Sequence, residues 1–78
     1  MPAQRKSPLR HDPEAVRWAR ESVGFTQARL AAEVGISFQL MSDIENGRRS
    51  ATAATLNNLA RALNCPRSVI ERKREDVA

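Results

Sequence analysis

The chain has 78 residues, which is enough for one small domain and excludes a second. Hydrophobic residues make up 41% of it, so it can form a core, but a chain of this length cannot enclose a deep substrate cavity. Thirteen Lys and Arg against nine Asp and Glu give a net charge of +4, which points to a polyanionic partner but not to a particular fold.

The residues with special chemistry exclude several function classes. Cys65 is the only cysteine and His11 the only histidine, so the chain has neither an internal disulfide nor the three or four ligands that zinc needs. Neither a catalytic triad nor paired carboxylates are evident, and we predict no enzyme, no metal and no cofactor. Without an apolar run of roughly 20 residues or a signal peptide, the protein is expected to be cytoplasmic and nucleoid-associated, with no membrane contact.

Residues 1–12 form a predicted flexible basic arm, because they contain two prolines, three basic side chains and little apolar surface. His11 is expected to be solvated there. Helix 1 begins after Asp12, which suits the N-cap, with Pro13 at the first helical position, and it ends at Gly24. Trp18 lies off its apolar stripe and is expected to be partly buried.

Four more helices follow. Thr26 caps helix 2, which runs to about Val34, and Gly35 suits the left-handed residue that ends it. Ser37 caps helix 3, which stops at Gly47. Thr52 caps helix 4, Pro66 opens a short helix 5, and residues 72–78 form a charged tail. The predicted fold is all-α with five short helices, and its folded domain spans residues 13–71.

Helices 2 and 3 are separated by only three residues, Gly35 to Ser37. Such a short connection forces the helices to cross at roughly 90–120°, as in the helix-turn-helix motif, in which the second helix enters the DNA major groove. In the segment QARLAAEVGISFQLMSDIEN, Ala31 is small where the helices approach each other. The apolar positions of the motif are filled by Leu30, Val34, Ile36, Met41 and Ile44. This spacing predicts a DNA-binding module.

The chain resembles the phage repressor and Cro class of helix-turn-helix proteins, the XRE family, over residues 15–71. The matching motifs are Arg20, Gly24-Phe25-Thr26-Gln27, Leu30-Ala31, Val34-Gly35-Ile36-Ser37, Ser42, Ile44-Glu45-Asn46-Gly47-Arg48 and the stripe from Leu56 to Leu63. The resemblance implies a lambda-repressor-like domain and a transcriptional regulator, a repressor acting as a homodimer on a two-fold symmetric operator of double-stranded DNA.

The resemblance also implies roles for individual residues. Phosphate binding falls to Thr26, Gln27, Asn46, Arg48 and Arg49, and base reading to Ser37, Phe38, Gln39, Ser42 and Asp43. Arg20 and Glu45 correspond to a structural ion pair between helices 1 and 3. From the residues themselves, Val69 and Ile70 are candidates for a dimer interface, and Arg5, Lys6 and Arg10 either follow the minor groove or belong to a solvated tail.

Other functions stay open at this stage. Phe38, Leu40 and Asp43 depart from the family pattern on the face expected to meet DNA, which allows a protein-interaction module that kept the fold without reading DNA. An antitoxin with a small protein partner and a restriction-modification controller protein would use the same surface as a repressor.

Overall fold

The structure, a computed structural model, describes residues 9–72. Five helices occupy them in the predicted order: α1 Pro13–Val23, α2 Gln27–Val34, α3 Phe38–Glu45, α4 Ala53–Ala62 and α5 Arg67–Ile70. The all-α prediction is therefore confirmed. None of the helices in this part of the chain is long and apolar enough to cross a membrane.

Local capping chemistry sets where the helices begin and end. The Asp12 side chain accepts hydrogen bonds from the amides of Glu14 and Ala15, and Thr26, Ser37 and Thr52 each cap the third residue of their helix. Side-chain oxygens at these positions satisfy amides that have no partner inside the helix. The predicted caps are thus confirmed.

One hydrophobic core lies between the helices. It is built from apolar residues of all five helices and of the segments just before and just after α4: Val16, Ala19, Leu30, Ala31, Met41, Ile44, Ala51, Leu56, Leu59, Ala60, Leu63 and Ile70. Because every helix contributes its apolar stripe to the same core, α2 and α3 are held as one rigid part of the domain rather than as an independent hairpin.

The segment before α1 differs from its prediction. His11 is 1% exposed, so the expectation of a solvated side chain is wrong. The amide of Asp12 donates to the carbonyl of Ile70 at 2.8 Å, and the amide of Arg72 donates to the carbonyl of Arg10 at 3.0 Å. Residues 10–12 and 70–72 thereby run antiparallel and join the folded domain, so the described part of the predicted arm, residues 9–12, is fixed to it.

Two further side chains lie elsewhere than predicted. Trp18 is 65% exposed and makes no part of the core, because it falls on the outer face of α1. Ile70 is completely buried within the monomer, where it fills core space beside α1 and α4. Its assignment to a dimer interface is therefore wrong, and of the predicted pair only Val69, at 40% exposure, presents apolar surface.

Candidate nucleic-acid interface

Gly35 makes the turn between α2 and α3. Its φ of +75° lies in the left-handed region, where glycine avoids the steric cost of a side chain. Its amide donates to the carbonyl of Ala32, and the next amide, of Ile36, donates to Ala31, which closes the end of α2. Ser37 then caps α3 at once. The backbone thus changes direction within three residues, as the spacing predicts.

A buried polar network joins α1, α2 and α3. The Glu45 side chain is 1% exposed. It accepts hydrogen bonds from Arg20 Nε at 2.7 Å, Arg20 Nη2 at 3.0 Å and Gln27 Nε2 at 3.0 Å. Arg20 also donates from Nη1 to the carbonyl of Phe25 at 2.8 Å. A planar guanidinium fits a carboxylate with two parallel bonds, so this pair fixes the rotation of α3 against α1.

The same network accounts for the electrostatics of Arg20. Its hydrogen bonds to Glu45 raise the pKa of the guanidinium above its ordinary value, although burial acts in the opposite direction. Glu45 is nearly inaccessible, and three N–H donors surround its two oxygens, so its negative charge is paired and hydrogen-bonded inside the domain. The Arg20–Glu45 contact inferred from the family resemblance is present.

One face of α3 points away from the core and carries polar side chains. Met41 and Ile44 are buried on the opposite face. On the outer face Gln39 is exposed and lies one turn before Asp43, and Ser42 lies one turn before Asn46. Two i, i+4 contacts follow, from Gln39 Nε2 to Asp43 Oδ1 at 3.1 Å and from Asn46 Nδ2 to Ser42 Oγ at 3.4 Å.

Asp43 connects this face to the loop after α3. Its Oδ1 lies 3.5 Å from Nη1 of Arg48, and its backbone carbonyl accepts from the amides of Arg48 at 2.8 Å and Arg49 at 3.4 Å. Arg48 remains 65% exposed in its side chain. Arg49 is exposed as well, and no carboxylate among residues 9–72 pairs with it. Two arginines therefore stand at the end of α3 beside its polar face.

The start of α2 has the features of an anion-binding helix end. Thr26 accepts from the amide of Arg29, and within the described residues the amides of Gln27 and Ala28 donate to no other group. Unpaired amides and the positive end of the helix dipole favour a phosphate. The side-chain amide nitrogen of Gln27, however, is held by Glu45, which the sequence did not predict.

Three residues depart from the family pattern, and the structure places each of them differently. Leu40 is half-buried and packs against the core, so it does not belong to the polar face. Asp43 is offset by Arg48, as described above. Phe38, in contrast, is 55% exposed at the first turn of α3, next to Ser37 and Gln39.

Other predicted site residues lie at the margin or outside the described part. Arg5 and Lys6 lie outside residues 9–72. Arg10 is exposed, and its amide donates to Ser50 Oγ at 2.9 Å, so the chain enters the domain beside the loop that carries Arg48 and Arg49. In the described range no group of three or more His, Cys, Asp or Glu side chains is placed to hold a metal ion.

His11 supports this interface, although nothing in the sequence predicted that role. Its Nε2 donates to the carbonyl of Ile44 in α3 at 2.7 Å, and its Nδ1 accepts from the amide of Ala51 at 3.2 Å. The carbonyl can only accept and the amide can only donate, which places the ring hydrogen on Nε2. Because these partners are 33 and 40 residues away, no local pattern could have revealed them.

Together these features define a class of protein. Two short helices meet at a left-handed glycine, and the second exposes a polar face. The unpaired amides at the start of α2 lie at one end of that face, and the arginines after α3 lie at the other. This arrangement is that of a helix-turn-helix DNA-binding domain.

Comparison with known proteins assigns the family. The model of the helix-turn-helix family HTH_3 matches residues 16–70, so the chain belongs to this family, which is the XRE class of DNA-binding transcriptional regulators that includes the phage repressors. The chain is 46% identical over 44 residues to an HTH-type transcriptional regulator, y4dJ, of Sinorhizobium fredii; the match covers 56% of this chain and 57% of that protein. It is 41% identical over 56 residues to the competence pilus inhibition repressor of Acinetobacter baylyi, covering 72% of this chain and 51% of the repressor. The chain thus spans about half the length of the curated relatives it matches.

Solved structures show the same fold. The DNA-binding domain of the P22 C2 repressor superposes with a TM-score of 0.70 at 26% identity, covering 82% of each chain. The restriction-modification controller protein C.AhdI of Aeromonas hydrophila has a TM-score of 0.71 at 24% identity over 73% of this chain and 86% of its own, a likeness that shows the fold alone. The predicted lambda-repressor-like architecture is confirmed.

Proposed function

We propose that this regulator is a repressor that binds a two-fold symmetric operator as a homodimer, with α3 in the major groove. The observation that carries the proposal is the polar outer face of α3, flanked at one end by the free amides of α2 and at the other by two exposed arginines. In this arrangement Ser37, Phe38 and Gln39 meet base edges first, because they form the N-terminal turn of the recognition helix. Ser42 and Asp43 border the same face one turn further on.

Phosphate contacts would hold the domain on both sides of the groove. Thr26 and the amides at Gln27 and Ala28 bind one phosphate, while Asn46, Arg48 and Arg49 bind the other strand. The guanidinium groups and helix end are suited to this task because they offer several N–H donors and positive potential. Such contacts position the protein, and the side chains of α3 read the sequence.

The N-terminal residues would extend the contact surface. The amide of Arg10 donates to Ser50, the residue that follows Arg49, so this segment lies beside the loop that carries the two arginines. Arg5 and Lys6 precede this point by a few residues. We propose that these basic residues follow the DNA backbone or minor groove from the loop that carries Arg48 and Arg49.

A homodimer would place its half-sites about 34–36 Å apart, one helical turn of DNA. Val69 is the exposed apolar residue of α5 and is the candidate contact for the second copy. Since Ile70 fills the core of the monomer, a dimer formed here would use the outer surface of α5 and a small apolar area.

Duplex binding measured across salt concentrations tests this proposal. If about six phosphates are engaged, the logarithm of the affinity falls with the logarithm of salt with a slope near −5, and Arg48→Ala reduces the slope by about 1. Arg17→Ala removes the same charge from the exposed face of α1 and serves as the matched control. Selection of bound duplexes from a random pool then gives the operator and its symmetry. If no duplex is retained even at low salt, the proposal is wrong.

A protein partner is the second candidate function, and exposed Phe38 is the observation that favours it. A large exposed aromatic is a frequent anchor in protein interfaces. An antitoxin or a restriction-modification controller protein would combine such a contact with DNA binding. Phe38→Ala separates the alternatives, since a groove contact predicts altered base preference, whereas a partner contact predicts unchanged DNA selection.

A further inference from the structure

The side chain of Asp43 holds two of the proposed DNA-contacting groups at once. Its Oδ1 accepts from Gln39 Nε2 at 3.1 Å and lies 3.5 Å from Nη1 of Arg48. Asp43 is also withdrawn from the surface, with 16% of its side chain exposed compared with 65% for Arg48. An anion on a face that meets phosphates is unfavourable by itself, so its presence needs a physical reason.

The first reason concerns the orientation of the Gln39 amide. A carboxylate only accepts hydrogen bonds, so it selects the rotation in which the NH₂ group of Gln39 faces Asp43. One N–H is then occupied, and the outward edge of the amide keeps its carbonyl oxygen and one remaining N–H. That edge has one acceptor and one donor. It complements adenine, which offers a donor at N6 and an acceptor at N7, and it cannot present two donors to the O6 and N7 of guanine.

The second reason concerns Arg48 and its loop. The Arg48 guanidinium has five N–H donors. Only its Nη1 faces Asp43, so the donors on its other nitrogens remain for a phosphate. The backbone carbonyl of Asp43 accepts from the amides of Arg48 and Arg49, which holds the start of the loop against the end of α3. The positive charge of Arg48 in turn offsets the carboxylate. Asp43 thereby fixes the position of the base-reading Gln39 relative to the phosphate-binding Arg48.

We propose that Asp43 is a positioning residue that makes Gln39 specific for adenine over guanine, without touching a base itself. This inference rests on the proposed function, in which Gln39 reads the major groove. Asp43 then orients Gln39 from one helical turn away and does not contact a base directly.

Selection of bound duplexes from a random pool, run in parallel on the unmodified chain and on variants, tests the proposal. In Asp43→Ala the ratio of adenine to guanine at one base pair of each half-site is expected to fall about tenfold, because a good bidentate contact discriminates against the wrong base by roughly fivefold to a hundredfold. Preferences at the other base pairs remain. Glu33→Ala is the matched control, since it removes a carboxylate from another i, i+4 pair, with Arg29 at 3.0 Å, and changes the net charge equally.

A second variant identifies the residue through which Asp43 acts. Gln39→Ala is expected to lose the preference at the same base pair, and the double variant is expected to lose no more than Gln39→Ala alone. Circular dichroism and urea unfolding of each variant confirm that the fold is retained, so a loss confined to one base pair reports orientation and not stability.

Four outcomes would contradict the proposals, three of them the positioning role of Asp43 and one the proposed function. Unchanged adenine preference in Asp43→Ala overturns the positioning role, and so does a loss at a base pair different from that of Gln39→Ala, which would make Asp43 a base contact. If Gln39→Ala keeps the full adenine preference of the unmodified chain, Gln39 does not read this base, and the inference is wrong. Failure of the unmodified chain to retain any duplex overturns the proposed function itself.

Discussion

Arg20 and Glu45 are joined by two parallel hydrogen bonds, 2.7 Å from Nε to Oε2 and 3.0 Å from Nη2 to Oε1, across an interface between α1 and the recognition helix α3. Gln27, at the start of α2, donates to the same carboxylate. A single buried carboxylate therefore links the two helices of the DNA-binding motif to the helix behind them, and the orientation of α3 depends on this linkage.

Arg20→Ala is expected to destabilise the domain by about 3–5 kcal/mol, because Glu45 would remain buried without its counter-ion. The free energy of unfolding in urea measures the effect. Replacing both residues, as Arg20→Met with Glu45→Leu, should cost much less, since no uncompensated charge is then buried. Equal losses in the single and the double variant would argue against this account.

His11→Ala is expected to destabilise the domain as well, by about 1–3 kcal/mol for each backbone group that loses its partner. The amide of Ala51 should also exchange its hydrogen faster, which nuclear magnetic resonance can follow. Arg10→Ala, next in sequence but exposed, should change stability by less than about 0.5 kcal/mol. If the two variants behave alike, the buried ring has no special role.

Gly35→Ala tests the turn between α2 and α3. The added methyl group meets no atom within 4 Å, so the expected cost of about 1–2 kcal/mol comes from the left-handed φ alone. Gly35→Asn should recover part of this loss, because asparagine tolerates the left-handed region better than alanine. Thermal unfolding of both variants measures the difference, and an alanine variant at least as stable as the asparagine variant would contradict it.

Cys65 is expected to react slowly with thiol reagents. Burial raises the pKa of its thiol, so less thiolate is present at pH 8 than in an unfolded chain. By the same reasoning, folding favours the protonated thiol, and stability should decline as the pH rises above the ordinary thiol pKa of about 8.5. Cys65→Ala should remove this alkaline decline. A labelling rate that does not increase in urea would disagree with the shift.

Removal of residues 1–8 is expected to weaken DNA binding and to reduce its salt dependence, since Arg5 and Lys6 are lost, while the selected operator stays the same. Residues 9–12 are retained in this variant because they are bonded to α5 and to the loop before α4. Salt titration of duplex binding provides the measurement. Unchanged affinity would leave these residues as a solvated tail without a role in binding.

The sequence predicted those parts of the fold that depend on neighbouring residues. Asp12, Thr26, Ser37 and Thr52 cap helices because a short polar side chain reaches an amide two or three residues away. Such interactions are complete within one helical turn. The spacing of these caps was therefore sufficient to place the first four helices, while α5 begins after Pro66, which makes no side-chain cap.

The recognition face was predicted only in part. The position of Gln39 on the outer side of α3 follows from helical periodicity. Its contact with Asp43 one turn away was not predicted. That Leu40 packs on the core while Asp43 pairs with Arg48 depends on how α3 rotates against its neighbours. The sequence showed both residues as departures from the family pattern and could not distinguish a core residue from a charge-paired one.

The sequence by itself determined the helix-turn-helix motif of this protein, because the motif depends on the local spacing of caps, glycines and apolar residues. The tertiary structure alone decided the roles of His11 and Ile70. One bonds to groups 33 and 40 residues away, and the other fills core space between distant helices. Contacts of that length arise only when the whole core closes, since each needs a partner that no neighbouring residue supplies.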